Sequence, residues 1–210
     1  MNQFLNFAQL FLYYCGKPYV QMKLSKQATI LLIVLNWACD DQPNQEEITN
    51  SLQNGIITAE IIHAAGEYPQ LFFNLENQKY EQRENNTGLP APFNIGRIKY
   101  FQETAGRNIY ILILGAAIPR TTQMDIKTIG MIRFLNEVEL PLIVGVPYNV
   151  NTIAPPISDF QTLLFENDPS KRLIEQWMTY HKFPFPFTSF FWEDEKATKD
   201  WLARHQIFNQ

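Results

Sequence analysis

Cysteine is nearly absent from this chain of 210 residues. The two cysteines, Cys15 and Cys39, both lie in the first fifth of the sequence, so disulfides cannot hold the remainder together. The sequence also lacks any run of 18 apolar residues, and it therefore offers no obvious membrane-spanning helix. Charged residues make up only 18% of the chain and hydrophobic residues 46%, which is typical of a globular protein and argues against disorder.

Acidic residues are missing from the first 39 positions, where the only charged side chains are three lysines. Residues 40–210 therefore carry 14 basic and 21 acidic side chains, a net charge of −7. A domain that binds nucleic acid usually presents a clustered basic face. The charge balance therefore predicts no nucleic-acid partner.

The first 39 residues have the pattern of an export leader. Lysines follow Met22, residues 28–35 are apolar, and Cys39 precedes a polar, acidic stretch, although Asn36 stands where such signals usually have leucine. This order is typical of a bacterial lipoprotein signal, which is cleaved before a cysteine that then carries the lipid. Counted from Met22 the leader has a normal length, so we interpret Met22 as the start.

The leader pattern predicts a lipoprotein that is anchored to the membrane at Cys39 and faces the periplasm or the cell surface. Residues 40–54, rich in Gln, Asn and Glu, are then predicted to be a polar tether between the membrane and a domain at 55–210. The alternative is a hydrophobic N-terminal helix with an incidental cysteine, on a cytoplasmic protein.

Short strand-like segments dominate the first part of the predicted domain. The segments predicted as strands are residues 56–64, 70–75, 110–114, 127–134 and 140–147. Residues 77–92 are polar and broken by glycine and proline, which indicates a loop with room for one short strand. Strand after strand with short turns favours a small barrel.

The pattern changes to a helical one near the C-terminus. Asp168 and Pro169 form a helix-start signal, and the apolar residues from Leu173 to His181 follow at helical spacing. A last strand is predicted at 188–192. The acidic residues 193–195 then open a second helix, at the end where the helix dipole is positive.

Several motifs occur in a fixed order over residues 58–205. They are Pro92-x-Asn94-x-Gly96, the strand–turn–strand 111–133 with Pro119 and Gly130, the apolar run ending in Val146-Pro147, the helix 173–182, and Phe191-Trp192 with the helix after it. Their order and spacing resemble the soluble inorganic pyrophosphatase family. The resemblance implies an α+β fold, a five-stranded OB-type β-barrel with two C-terminal helices packed outside it.

The resemblance also implies an activity, inorganic diphosphatase, in which magnesium ions held by carboxylates activate water and neutralise the substrate. The family's central motif is Asp-Gly-Asp-Pro-x-Asp, and the matching residues here are Ala105, Gly106, Arg107, Asn108, Ile109 and Tyr110. A later family aspartate falls on Asn136, two glutamates on Ile62 and Phe73, two lysines on Leu71 and Leu142, and two tyrosines on Ile95 and His181. We therefore expect a catalytically degenerate domain that retains no catalytic residue and uses no magnesium.

Two alternatives stay open from the residues. One is an active diphosphatase with a rebuilt metal site. The other is a metal-free binder of pyrophosphate, phosphate or another anionic ligand, with Arg83, Lys182 and Arg107 as the phosphate-binding candidates, because guanidinium groups match phosphate oxygens. His63, His181 and His205 lack metal-ligand spacing.

Overall fold

Strands and helices follow one another through the computed structural model, which describes residues 44–68, 71–74, 79–82, 89–103, 106–135, 140–149, 157–181 and 189–206. The strands are β1 (Ile56–His63), β2 (Leu71–Asn74), β3 (Lys79–Gln82), β4 (Asn94–Gln102), β5 (Asn108–Ile113), β6 (Gln123–Phe134), β7 (Leu142–Pro147) and β8 (Phe190–Glu193). The helices are α1 (Gln45–Gln53), α2 (Asp168–His181) and α3 (Glu195–Ala203), and a π-helical segment spans Thr162–Glu166. All of these elements fall within one compact unit of the chain.

Five of the strands close into a barrel. The order around the barrel is β1-β4-β5-β7-β6, and β1 pairs with both β4 and β6. Neighbouring strands are antiparallel except β5 and β7, which are parallel. β8 pairs with β6 as an additional strand, and β2 pairs with β3 in a separate hairpin. The OB-type barrel that the resemblance implies is confirmed.

The sequence patterns of β1 and β7 match their surroundings. Buried and part-exposed side chains alternate along β1, as expected for a strand with one face in the core. β7 is buried at every position, which agrees with its continuous apolar run. Gly145 is required in that run, because a Cβ atom there would lie 2.6 Å from Ile126 and 2.8 Å from the Lys127 carbonyl oxygen.

Two apolar clusters lie on opposite faces of the barrel wall, since alternate residues of a strand point to opposite faces. The barrel cluster contains Leu52, Ile57, Ala59, Ile61, Ile98, Phe101, Ile109, Ile111, Ile113, Ile126, Met131, Ile143, Trp201 and Leu202. The helix-side cluster contains Ala91, Phe93, Ile95, Tyr110, Leu112, Leu114, Ile129, Ile132, Phe134, Leu140, Leu142, Val144, Val146, Ile157, Leu163, Ile174, Trp177 and Met178.

The two predicted C-terminal helices are confirmed. α2 contributes Ile174, Trp177 and Met178 to the helix-side cluster, with the spacing of one helix face. α3 begins after Asp194, whose side chain accepts a hydrogen bond from the Ala197 amide at 2.8 Å and caps the helix. None of the described helices combines the length and the apolar character needed to cross a membrane.

α1 lies in the segment for which the sequence analysis predicted a polar tether. The Asn44 side chain accepts a hydrogen bond from the Glu47 amide at 2.8 Å and starts the helix. Leu52, only 5% exposed, joins the barrel cluster. The sequence interpretation missed this helix because its only strongly apolar residues are Ile48 and Leu52 among polar neighbours. Residues 45–53 therefore belong to the folded unit.

Candidate functional site

Four consecutive strands of the barrel wall carry positions that the resemblance assigns to substrate or metal. These positions are Ile62 on β1, Ile95 on β4, Tyr110 on β5 and Leu142 on β7. Ile95, Tyr110 and Leu142 belong to the helix-side cluster, where they are 1%, 7% and 1% exposed. Ile62 is partly buried and packs against the same cluster. The fold therefore brings the expected positions onto one face. The side chains there are apolar except for the phenol of Tyr110.

α2 lies over this face and binds the 89–90 segment at the edge of the face. The Trp177 ring meets Phe93 edge to face, with centroids 4.9 Å apart. The Trp177 indole N–H donates to the Pro90 carbonyl at 3.1 Å. His181 stacks on Trp177 at 4.5 Å, and its Nε2 accepts from the Leu89 amide at 3.1 Å. His181, which is half-buried, therefore joins the end of the helix to the 89–90 segment.

A row of polar side chains borders the helix-side cluster, and the sequence analysis did not single it out. Glu60 lies opposite Arg97, and Arg97 lies opposite Tyr110, so the three side chains share one face of β1, β4 and β5. The Arg97 guanidinium is 2.6 Å from Glu60 and the Lys99 ammonium 3.7 Å from it. The hydrogen bond from Arg97 holds the pKa of Glu60 below its ordinary value, although burial raises it, and the charge of Lys99 helps.

The resemblance places Tyr110 at the last aspartate of the family's central motif. Burial raises the pKa of the Tyr110 phenol, while its hydrogen bond with Asn108 and the charge of Arg97 act in the opposite direction. The phenol is therefore protonated at neutral pH. It offers no negative oxygen of the kind that magnesium selects.

Arg107, the cation at another aspartate position, is bound within its own turn. Its Nε lies 2.8 Å from one oxygen of Glu103, and its terminal nitrogen lies 2.8 Å from the other oxygen. The turn is closed by hydrogen bonds from the Glu103 amide to the Arg107 carbonyl and from the Gly106 amide to the Glu103 carbonyl. Gly106 adopts a φ of +75°, a backbone conformation that favours glycine.

Solved structures share this architecture. The inorganic pyrophosphatase from Neisseria gonorrhoeae is similar with a TM-score of 0.51 and 16% identity, over 73% of this chain and 91% of that chain. The enzyme from Ehrlichia chaffeensis gives 0.53 and 15% identity over 72% and 93%. The enzyme from Thermus thermophilus gives 0.53 and 13% identity over 71% and 88%. This chain has the inorganic pyrophosphatase fold.

The pyrophosphatase fold is carried here by a strongly diverged sequence. No family model matches the chain, and no curated protein matches it by sequence. The similarity to pyrophosphatases therefore rests on the path of the backbone, and it shows the fold.

Several residues named in the sequence analysis lie outside the part of the chain that the structure describes. They are the lipidation candidate Cys39, the phosphate-binding candidates Arg83 and Lys182, and the positions Ala105 and Asn136. Leu71 and Phe73 lie on β2, where the backbone alone is described. The predictions made for these side chains stay predictions.

Magnesium does not fit the pyrophosphatase positions that the structure describes. Magnesium takes hard oxygen ligands, chiefly carboxylates and water. Ile62, Ile95 and Leu142 supply none, Tyr110 supplies a protonated phenol, and Arg107 supplies a cation. In the described residues, no group of three or more His, Cys, Asp or Glu side chains is arranged to hold a metal ion.

Proposed function

We propose that the pyrophosphatase-type domain no longer hydrolyses pyrophosphate. We also propose that it is carried on a protein that a lipid at Cys39 anchors to the membrane. The observation that supports the loss of hydrolysis is the helix-side cluster. It occupies the face where the resemblance places substrate and metal, and it takes in Ile95, Tyr110 and Leu142. A face that is filled and apolar supports a structural or partner-binding role.

Two requirements of the reaction are unmet on this face. The reaction needs metal ions that activate a water molecule and neutralise the charge of the phosphates. An ion that moves from water into an apolar environment without partners loses hydration free energy of the order of tens of kcal/mol. Side chains that are 1% exposed, as Ile95 and Leu142 are, leave neither ligands nor room for such an ion.

The anchor is supported by the leader alone. A short basic region after Met22, an apolar run and then Cys39 give the order of a lipoprotein signal. A single acyl chain gives only marginal membrane binding, so stable anchoring needs the multiple chains that a lipidated N-terminal cysteine supplies. The proposal therefore places the domain at a bacterial membrane surface facing the periplasm or the exterior.

The second candidate function is metal-free binding of an anion such as pyrophosphate or phosphate. It is favoured by the polar row, where two cations, Arg97 and Lys99, share the one carboxylate of Glu60. Arg107 contributes less than its sequence position indicates, since two of its three guanidinium nitrogens are directed at Glu103. Arg83 and Lys182 remain the further cations for this role.

The deciding experiment is phosphate release from pyrophosphate by the purified chain with magnesium, from neutral to alkaline pH. We expect no more phosphate than in a blank without protein, with the Thermus thermophilus pyrophosphatase as positive control. Magnesium-dependent turnover would overturn the proposal and favour a diphosphatase with a rebuilt site. A rise in melting temperature with pyrophosphate in the presence of a chelator, abolished by Arg83→Ala and unaffected by Arg172→Ala, would favour the anion binder instead.

A further inference from the structure

His63 is a buried base, and its ring has no hydrogen-bond partner in the part of the chain that the structure describes. It is the last residue of β1 and is 4% exposed. Neither of its ring nitrogens has a partner among the described residues. Buried polar groups in folded proteins almost always form hydrogen bonds, and one that does not requires a physical explanation.

The position of His63 follows from an irregularity in β1. Ile61 lies opposite Gly96, but His63 lies opposite Ile95, so one extra residue is accommodated between the two pairs. Residues opposite one another in a sheet share a face. Because Ile95 belongs to the helix-side cluster, His63 stands at the margin of that cluster.

Hydrogen bonds from each of the next three residues hold the turn after His63, one within the turn and two to residues outside it. The Ala64 amide donates to the Glu67 carboxylate at 2.8 Å, and the Ala65 amide donates to Asn94 Oδ1 at 2.9 Å. The Gly66 amide donates to the Ala91 carbonyl at 2.8 Å. The turn is thus held to the chain before and at the start of β4.

Two charged groups act on His63, and they bind each other. Glu67 belongs to the turn, and Arg120 belongs to the loop between β5 and β6; the Arg120 Nε lies 2.7 Å from the Glu67 carboxylate. Ile95 and Asn94 of the neighbouring β4 do not titrate. In the described part of the chain, the electrostatic environment of His63 is therefore set by this one ion pair.

The neutral form of His63 is the form that suits this site. Burial lowers the pKa of His63 from its ordinary value of 6.5, and the positive charge of Arg120 lowers it further, while Glu67 raises it. A protonated ring would add a second cation beside Arg120. One oxygen of Glu67 already accepts from the Ala64 amide and from Arg120.

We infer that His63 is an acid-sensitive latch, whose protonation releases the turn 64–67 from Asn94, Ala91 and Arg120. An imidazolium at this site would move toward the Glu67 carboxylate, where it competes with Arg120 and Ala64, or would move out of the interior into water. Either movement breaks hydrogen bonds of the turn. The release uncovers the edge of the helix-side cluster at Ala91 and Ile95, so the protein gains an apolar surface in acid.

The direction of the pH dependence follows from linkage. In the closed state the turn 64–67 is held in place, and in the open state it is released. The pKa of His63 is lower in the closed state, so the closed state binds fewer protons than the open state. The closed state therefore loses stability as the pH falls below 6.5. Burial raises the pKa of Glu67, but the hydrogen bonds from Arg120 and Ala64 outweigh it and place it below 4.5. Opening of the turn between pH 6.5 and 4.5 is therefore attributed to protonation of His63, because Glu67 keeps its charge in this range.

Amide hydrogen exchange of the full chain between pH 7 and pH 5 tests the latch. We expect the exchange of the Ala65, Gly66 and Ala91 amides to increase relative to the Thr128 and Leu114 amides, which bond elsewhere in the barrel. For one proton the opening constant rises by at most about tenfold per pH unit. Unchanged relative exchange across this range would overturn the inference.

Variants separate the latch from general acid sensitivity. His63→Phe and His63→Gln cannot gain the proton, and in both we expect relative exchange that is independent of pH in this range. His205→Phe removes a histidine that stacks on Trp201 and is not fully buried, and it should behave as the unmodified chain does. Acid-dependent opening that persists in His63→Gln would contradict the latch. If neither variant folds, direct titration of the His63 ring by NMR in the unmodified chain tests whether protonation of the ring accompanies the opening.

Discussion

Arg107 holds Glu103 with two hydrogen bonds of 2.8 Å across a four-residue spacing. The pair is well shielded, with side chains 15% and 11% exposed. The cation that stands at a family aspartate position therefore serves the β4–β5 turn. A functional interpretation of Arg107 from sequence alone, as a repeller of metal or a ligand for phosphate, leaves out this local partner.

We expect Arg107→Ala to lower the free energy of unfolding by roughly 1.5–3 kcal/mol, because it leaves a shielded carboxylate without its charged donor. Urea denaturation measures the change. Arg172→Ala is the matched control, since Arg172 also pairs with an acidic residue four positions away but is 69% exposed. An exposed pair contributes at most about 1 kcal/mol. Equal effects of the two variants would contradict the assignment.

Restoring the family's charge at Leu142 should damage the fold without restoring activity. Leu142 is 1% exposed in the helix-side cluster, so the ammonium of Leu142→Lys would be buried without a partner. An uncompensated buried charge costs about 3–5 kcal/mol. Leu142→Met conserves volume and should cost less than about 1.5 kcal/mol. A stable Leu142→Lys protein in urea denaturation would show that this face is open to water.

Restoring the central motif should also fail to produce a pyrophosphatase. We expect the triple variant Ala105→Asp, Arg107→Asp, Tyr110→Asp to release no phosphate from pyrophosphate above the blank with magnesium. Ile62 and Leu142 still present hydrocarbon to that face, and catalytic residues that act as a unit are strongly non-additive. Turnover by the triple variant would show that the carboxylates alone were missing.

Trp177 should be the residue of α2 on which the closure of the candidate site most depends. It is 5% exposed, packs on Phe93 and bonds the Pro90 carbonyl. Trp177→Ala should lower the free energy of unfolding by about 3–5 kcal/mol. Tyr180→Ala, on the same helix but 68% exposed, should change it by no more than about 0.5 kcal/mol. Similar values for both would mean that α2 does not cover the cluster.

The lipid anchor is tested by expressing the chain from Met22 in a bacterium. We expect the unmodified protein in the membrane fraction and labelled by a fatty-acid analogue, because the cysteine after the apolar run is the acceptor of the lipid. Cys39→Ser should lose the label and leave the membrane fraction. Fractionation that is the same for both proteins would favour an uncleaved hydrophobic helix.

Much of the fold was predictable because its signals are local. β1, β2, β5, β6 and β7 correspond to the predicted strands, and α2 and α3 to the predicted helices. β4 was not predicted as a strand, since its charged residues Arg97 and Lys99 hide the alternation. The irregularity of β4 between Arg97 and Gln102, where Tyr100 adopts a φ of 63°, further breaks its period.

The sequence by itself determined which residue types stand at the positions that the resemblance assigns to substrate and metal, with apolar ones at Ile62, Leu71, Phe73 and Leu142. It also determined the order of strands and helices, because hydrophobic period and caps are properties of neighbouring residues. Only the tertiary structure decided that Arg107 pairs with Glu103 and that His63 is buried in its neutral form. Both outcomes depend on desolvation and on the partners that the barrel brings together. Burial and partners of this kind do not exist before the chain is folded.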